Sequence, residues 1–159
     1  MKLLEKIKIL VLSDSHGYIK PMLTAAEKES PGMIIHLGDH FRDCKQLQRS
    51  FPDIPIFTVK GNCDPWDPDS ERELYINIGG VRMLVTHGDG FGVKHSLTRL
   101  INTALYSNCR IALYGHTHIP HCEEVSGLIL LNPGSIRDSG SYAVLHIDGD
   151  DIKVEQKRI

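Results

Sequence analysis

Five short apolar runs constrain this chain more than any other feature. They are "IKILVLSDSH", "GMIIHLGDH", "IPIFTVKGNCD", "VRMLVTHGDG" and "RIALYGHTH". Each is rich in Ile, Val and Leu and shows no strict polar alternation, the pattern of strands buried on both faces by helices or a second sheet. Between the runs lie helix-like stretches, "IKPMLTAAEKES", "RDCKQLQRSF" and "KHSLTRLINTALYSN". In the last, Leu97, Leu100, Ile101, Ala104 and Leu105 repeat at helical spacing. The order strand, helix, strand predicts an α/β unit.

Other segments are more antiparallel in character. "ELYINIGGVRMLVTHG" reads as a hairpin turning at Gly79-Gly80, a dipeptide that tolerates the positive φ of a tight turn. "SYAVLHIDGDDIKVEQKRI" reads as a second hairpin turning near Asp148 to Asp151. The assembly expected is two mixed sheets packed face to face with helices outside, formed by residues 1–159 as a single domain. A length of 159 residues suits one sizeable core.

Composition removes several classes. Eighteen basic residues against 20 acidic ones leave a net charge of −2, which argues against a duplex nucleic-acid binder. Four cysteines, Cys44, Cys63, Cys109 and Cys122, form no C-x-x-C pair and suggest no disulfide framework, so a cytoplasmic setting is expected. The basic-flanked start "MKLLEKIKILVLSDSHG" has too short an apolar stretch for a secretory signal, and no run reaches membrane-spanning length.

The ends of the apolar runs carry the chemistry. They hold Asp14 with His16, then Asp39, Asn62, His87, and His116 with His118. In α/β sheets, sites gather outside the carboxyl ends of strands. Carboxylate, amide and imidazole together suit borderline and harder divalent ions rather than a thiolate-rich zinc site. Seven donors exceed the needs of one four-coordinate ion and match two ions sharing a carboxylate. The other histidines read differently. His36 sits inside an apolar run and is expected to be packed. His40, His95, His121 and His146 read as surface or supporting residues, with His40 placed for a substrate contact beside Asp39. "NPGS" is either a turn or a loop lining the site, and Arg137 beyond it is a candidate phosphate contact.

The ordered motifs "SDSHG", "LGDH", "GNCD", "VTHGD" and "GHTHIP", followed by "LNPGS", give the chain its resemblance to the calcineurin-like metallophosphoesterases, and within them to the small YfcE-like phosphodiesterases. That resemblance implies a four-layer αββα sandwich and two divalent transition metal ions, with Mn²⁺ first in order and Ni²⁺, Zn²⁺, Fe²⁺ or Co²⁺ as substitutes. Carried over, Asp14, His16 and His118 would hold the first ion. Asn62, His87 and His116 would hold the second, and Asp39 would bridge both. Asp39, Asn62, His87 and His116 would also serve catalysis. The site would keep a net positive charge and draw in a small anionic phosphate ester for in-line attack by a bridging hydroxide. Activity is expected to fall at acid pH, because histidine binds metal in its neutral form.

Cys63 stands where larger relatives carry a histidine that protonates the leaving group, so activated aryl diesters are the substrates expected to turn over. Asp64 is expected to orient a ligand from behind. No duplex nucleic acid or membrane is expected as a partner, and the resemblance implies a homodimer or homotetramer. The alternative is a non-catalytic, Vps29-like protein-interaction scaffold on the same fold. The filled set of seven donors favours the enzyme.

Overall fold

The computed structural model describes residues 5–159. Residues 1–4, including the start of the basic-flanked N-terminal stretch and of the expected 1–159 domain, lie outside the described residues. Ten strands form two five-stranded sheets. The first sheet runs in the order β10 (Asp151–Arg158), β9 (Ser141–Asp148), β1 (Ile7–Leu12), β2 (Met33–His36) and β3 (Ile56–Thr58). The second runs β4 (Glu73–Ile78), β5 (Val81–Thr86), β6 (Ile111–Leu113), β8 (Leu128–Asn132) and β7 (His121–Val125). In each sheet three parallel strands, β1-β2-β3 or β5-β6-β8, carry antiparallel neighbours.

The unbroken apolar runs are explained by burial on both faces. Ile9 and Val11 of β1 point into the core between the sheets, with Ile35, Met83, Val85, Ile111 and Leu113. Leu10 and Leu12 point the other way, against Met22, Ala25 and Ala26 of α1 (Ile19–Glu29) and Leu47 of α2 (Cys44–Ser50). On the second sheet Leu84 and Ala112 face Leu100 and Ala104 of α3 (Thr98–Tyr106). This is the expected αββα order of layers. Burying both side-chain rows of the parallel strands, at roughly 25 cal/mol per Å² of apolar surface, is what stabilises the sandwich.

Three details refine the sequence reading. The five donor-bearing runs do not share one sheet: β1, β2 and β3 lie in the first and β5 and β6 in the second. Both hairpins form, with Ile78 paired to Val81 and Asp148 to Asp151. Gly79 and Gly80 both have positive φ, 58° and 82°, as a tight hairpin turn requires. The third helix starts at Thr98 rather than Lys94, because the Ser96 hydroxyl accepts the Thr98 N–H at 3.1 Å and takes over an N-terminal donor. Among the described residues no helix is long and apolar enough to cross a membrane, and all four cysteines are free.

Candidate functional site

All seven donors predicted from sequence follow the carboxyl ends of parallel strands and meet along one rim. Asp14 and His16 follow β1, Asp39 follows β2, Asn62 follows β3, His87 follows β5, and His116 and His118 follow β6. Five of them, Asp14, His16, Asp39, His116 and His118, have φ between 45° and 69°. Left-handed backbone is costly for residues with a Cβ and clusters where surrounding structure enforces it at functional sites. Here it turns side chains at the strand ends toward one point.

Two glycines permit this crowding. A Cβ on Gly61 would strike Asp39 and the His87 ring, and one on Gly115 would strike Ser13 and the Asp14 carboxylate. The glycines of "GNCD" and "GHTH" are therefore gaps that let the loops close on the aspartates.

The donors divide into two overlapping groups. Ligand atoms of Asp14, His16, Asp39 and His118 lie within 4.8 Å of one another. Asp14 Oδ1 is 3.0 Å from His118 Nε2 and 3.8 Å from His16 Nε2. In the second group His87 Nε2 lies 3.1 Å from Asn62 Oδ1 and 3.2 Å from His116 Nδ1. Asp39 Oδ2 sits between the groups, 3.4 Å from His87 Nε2 and 3.6 Å from His16 Nε2.

Four of the seven donors, Asp14, Asp39, His87 and His118, are held from behind, which turns their other ligand atom toward the centre. Ser13 Oγ donates to Asp14 Oδ2 at 2.5 Å, and Asp14 Oδ1 is buried without a hydrogen bond. The Cys63 N–H donates to Asp39 Oδ1 at 2.9 Å, so Oδ2 is the inward oxygen. His87 Nδ1–H donates to the Leu37 carbonyl at 2.7 Å, and this tautomer directs the Nε2 lone pair inward. His118 Nδ1–H donates to Asp138 Oδ2 at 2.5 Å, with the same result. His16 Nε2 is buried and unpartnered. Buried polar atoms without partners are rare, and two of them facing each other across a cluster of acceptors call for a cation. The residues present therefore fit divalent metal binding.

The charges agree with the geometry. Burial lowers the His16 pKa against the pull of Asp39, and burial followed by the nearby His87 lowers that of His116. Both imidazoles are thus kept in the neutral form that ligates. For His87 burial acts downward, but the hydrogen bond to Asp39 and the charges of Asp14 and Asp39 outweigh it and raise the pKa. Burial pushes the Asp39 pKa up, and its bonds to His87 and Cys63 more than reverse this, leaving it well below the usual carboxylate range. The field at the centre is anionic.

Supporting residues complete the picture. The Asp64 carboxylate accepts backbone N–H groups from Asp39, His40, Phe41 and Gly61 at 2.6–3.1 Å, clamping the loops after β2 and β3 together. Its carboxylate thus fixes the backbone that carries Asp39. His36 is fully buried and satisfied by Ser15 Oγ at 2.9 Å and the Gly38 N–H at 3.1 Å, which fits its expected packing role. His40 is exposed, its ring 5.3 Å from that of His16. "NPGS" acts as a strut. Asn132 Nδ2 donates to the Gly115 carbonyl and to Thr117 Oγ1, and Ser135 Oγ donates to the Asp14 carbonyl. Sequence reasoning passed over Asn132 and Asp138. The "LNPGS" motif signals the first. Asp138, on the short helix α4 (Ile136–Ser139), carries no spacing signal.

The fold and site together define a two-sheet sandwich with a cluster of oxygen and nitrogen donors fit for divalent metal at its strand ends. The profile of the calcineurin-like phosphoesterase superfamily domain matches residues 7–150, and the chain belongs to that family. It is 34% identical over 152 residues to the probable metallophosphoesterase YsnB of Bacillus subtilis, covering 91% of this chain and 86% of that protein. It is 26% identical over 112 residues to phosphodiesterase YfcE of Escherichia coli K12, covering 58% and 53%. Among solved structures, a conserved uncharacterized protein of Streptococcus pneumoniae TIGR4, a predicted phosphoesterase, superposes with a TM-score of 0.82 at 28% identity over 97% of this chain and 90% of that one. Vacuolar Protein Sorting 29 from Cryptosporidium parvum shares the fold alone, at a TM-score of 0.76 and 15% identity, covering 97% and 99%.

Proposed function

We propose that this chain hydrolyses small phosphodiesters at a centre of two divalent ions. Asp14, His16 and His118 would hold the first, Asn62, His87 and His116 the second, and Asp39 both. The observation that carries the reading is that Asp14 Oδ1 and His16 Nε2 are buried without a partner, while Asp14, Asp39, His87 and His118 are fastened by protein groups that turn a ligand atom toward them. Bound there, the ions would supply Lewis-acid polarisation of the phosphoryl oxygens and an acidified water. The protein's own part is to fix the donors. Asp39 spans the two groups, the Leu37 carbonyl and Asp138 set the tautomers of His87 and His118, and Asp64 holds the Asp39 loop.

Leaving-group chemistry narrows the substrates. Burial, followed by the charge of Asp39, raises the Cys63 pKa, so the thiol stays protonated at neutral pH and is a weak acid there. Esters whose alcohol departs without protonation, such as aryl diesters, are favoured. The mixed carboxylate, amide and imidazole set suits Mn²⁺, Fe²⁺, Zn²⁺, Co²⁺ or Ni²⁺, with Mn²⁺ the first ion to try, and the free thiols suit the reducing cytoplasm.

The test is hydrolysis of bis-p-nitrophenyl phosphate by metal-stripped protein titrated with Mn²⁺, Ni²⁺, Zn²⁺ and Mg²⁺, beside Asp39→Asn and His116→Ala. Metal should restore turnover. Both variants should lose at least about a hundredfold, the upper range for residues that merely support a ligand. No turnover with any metal in folded protein would replace the enzyme by a protein-interaction scaffold on the shared fold.

A further inference from the structure

Beside the candidate centre, one pair of side chains is fastened with a care that its surface position does not explain. The turn of α4 is anchored by the Ile136 side chain, which is fully buried, and by the Ile136 N–H, which donates to the Ser13 carbonyl at 3.1 Å. Ser135 Oγ accepts the Asp138 N–H and donates to the Asp14 carbonyl, both at 3.0 Å. The turn is thus locked to the segment that carries Asp14. From this base Asp138 uses its two oxygens separately. Oδ2 accepts from His118 Nδ1 at 2.5 Å, and Oδ1 accepts from Arg137 Nε at 2.8 Å. His118 in turn places Nε2 3.0 Å from Asp14 Oδ1. A continuous path of three short contacts joins the arginine to the heart of the donor cluster.

Arg137 is held by Nε alone. Among the described residues neither Nη finds an acceptor, and the side chain is 38% exposed. An arginine oriented at one edge with its outer fork free is pre-organised for a planar, two-point contact with an oxyanion. The Asp138 charge offsets that of Arg137, so the fork adds direction rather than net attraction.

We infer that Arg137 is an oxyanion receptor for the phosphate group at the His16/His118 side of the centre, and that Asp138 is the positioning residue that orients both Arg137 and the metal-binding histidine His118. The assignment rests on the two-ion reading of the site. It makes one aspartate answerable both for holding an ion and for holding the phosphate that meets it.

The experiment uses titration calorimetry of Mn²⁺ into the metal-free protein, then of inorganic phosphate into the Mn²⁺-loaded protein. Arg137→Ala should keep its Mn²⁺ affinity within twofold and weaken phosphate at least tenfold. Arg137→Lys, which keeps charge but loses the fork, should recover only part of that. Asp138→Ala should weaken Mn²⁺ by about 10- to 100-fold, as expected when the partner of a ligating histidine is removed, and should weaken phosphate even at saturating Mn²⁺. Asp138→Asn, a neutral acceptor of the same shape, should lie between, and it separates loss of charge from loss of the side-chain acceptor. Unchanged phosphate binding in Arg137→Ala, or unchanged Mn²⁺ binding in Asp138→Ala, would overturn the assignment. Neither measurement needs turnover, so a protein that binds Mn²⁺ and phosphate in this manner but cleaves no ester would defeat only the phosphodiesterase reading.

Discussion

The two halves of the donor cluster are built from different chemistry. The Asp14 half brings together two carboxylates, with Asp39, and two imidazoles, and its orphaned atoms Asp14 Oδ1 and His16 Nε2 are buried. The His87 half has only neutral donors of its own, Asn62, His87 and His116, and borrows its single charge from Asp39. At close range a carboxylate contributes far more than an amide oxygen to holding a divalent ion. On the two-ion reading, one half would retain an ion and the other would hold one more loosely beside it.

That contrast can be broken experimentally. Asp14→Asn should give the largest effect: the tighter of two Mn²⁺ binding events in calorimetry disappears, and turnover goes with it. His87→Ala should leave the tight event within a fewfold of wild type and abolish the weaker one, again without turnover. If both variants lose the same binding event, the halves are one site and the contrast fails. A smaller effect is expected from Gly115→Ala. The added methyl has to displace the Ser13 hydroxyl or the Asp14 carboxylate, and overpacking of this kind costs about 1–3 kcal/mol. Thermal unfolding should show that loss, together with a selective weakening of the Asp14 half.

The smallest effect lies away from the site and serves as a control. Glu29 is buried among Tyr142, Lys157 and Lys8, with contacts of 2.7–3.1 Å. Burial alone would raise its pKa, but these partners hold it down at about 2, against an ordinary 4.5. The ion pairs therefore stabilise the fold fully above about pH 4.5, and that contribution is lost as pH falls from there toward 2. Glu29→Gln should lower stability at pH 7 by roughly 1–2 kcal/mol, a figure reduced for the solvent around the lysines. It should also flatten acid unfolding in that window while leaving Mn²⁺ binding unchanged.

The legible part of the molecule was what repeats locally. A run such as "IKILVL" announces a strand buried on both faces, and the donor after each run announces the rim. Beyond the two hairpins, strand neighbours were not legible, because periodicity reports burial and not partners. Nothing in "VRMLVT" says that it leaves β1, β2 and β3 for another sheet. Nor did the sequence announce the left-handed backbone at Asp14, His16, Asp39, His116 and His118, since only the surrounding contacts enforce it. Asp138 stayed hidden because its link to His118 spans 20 residues and depends on a single turn of helix.

The division of donors between sheets has a thermodynamic consequence. Asp14, His16, Asp39 and Asn62 hang from the first sheet, and His87, His116 and His118 from the second. On the two-ion reading each ion is a rivet across the seam, made only when both sheets are in place. A ligand that binds only the folded chain adds stability by mass action, about 2.7 kcal/mol at a hundredfold excess over its dissociation constant. The supply of divalent metal in the surroundings would then set how long the protein lasts as well as how fast it works.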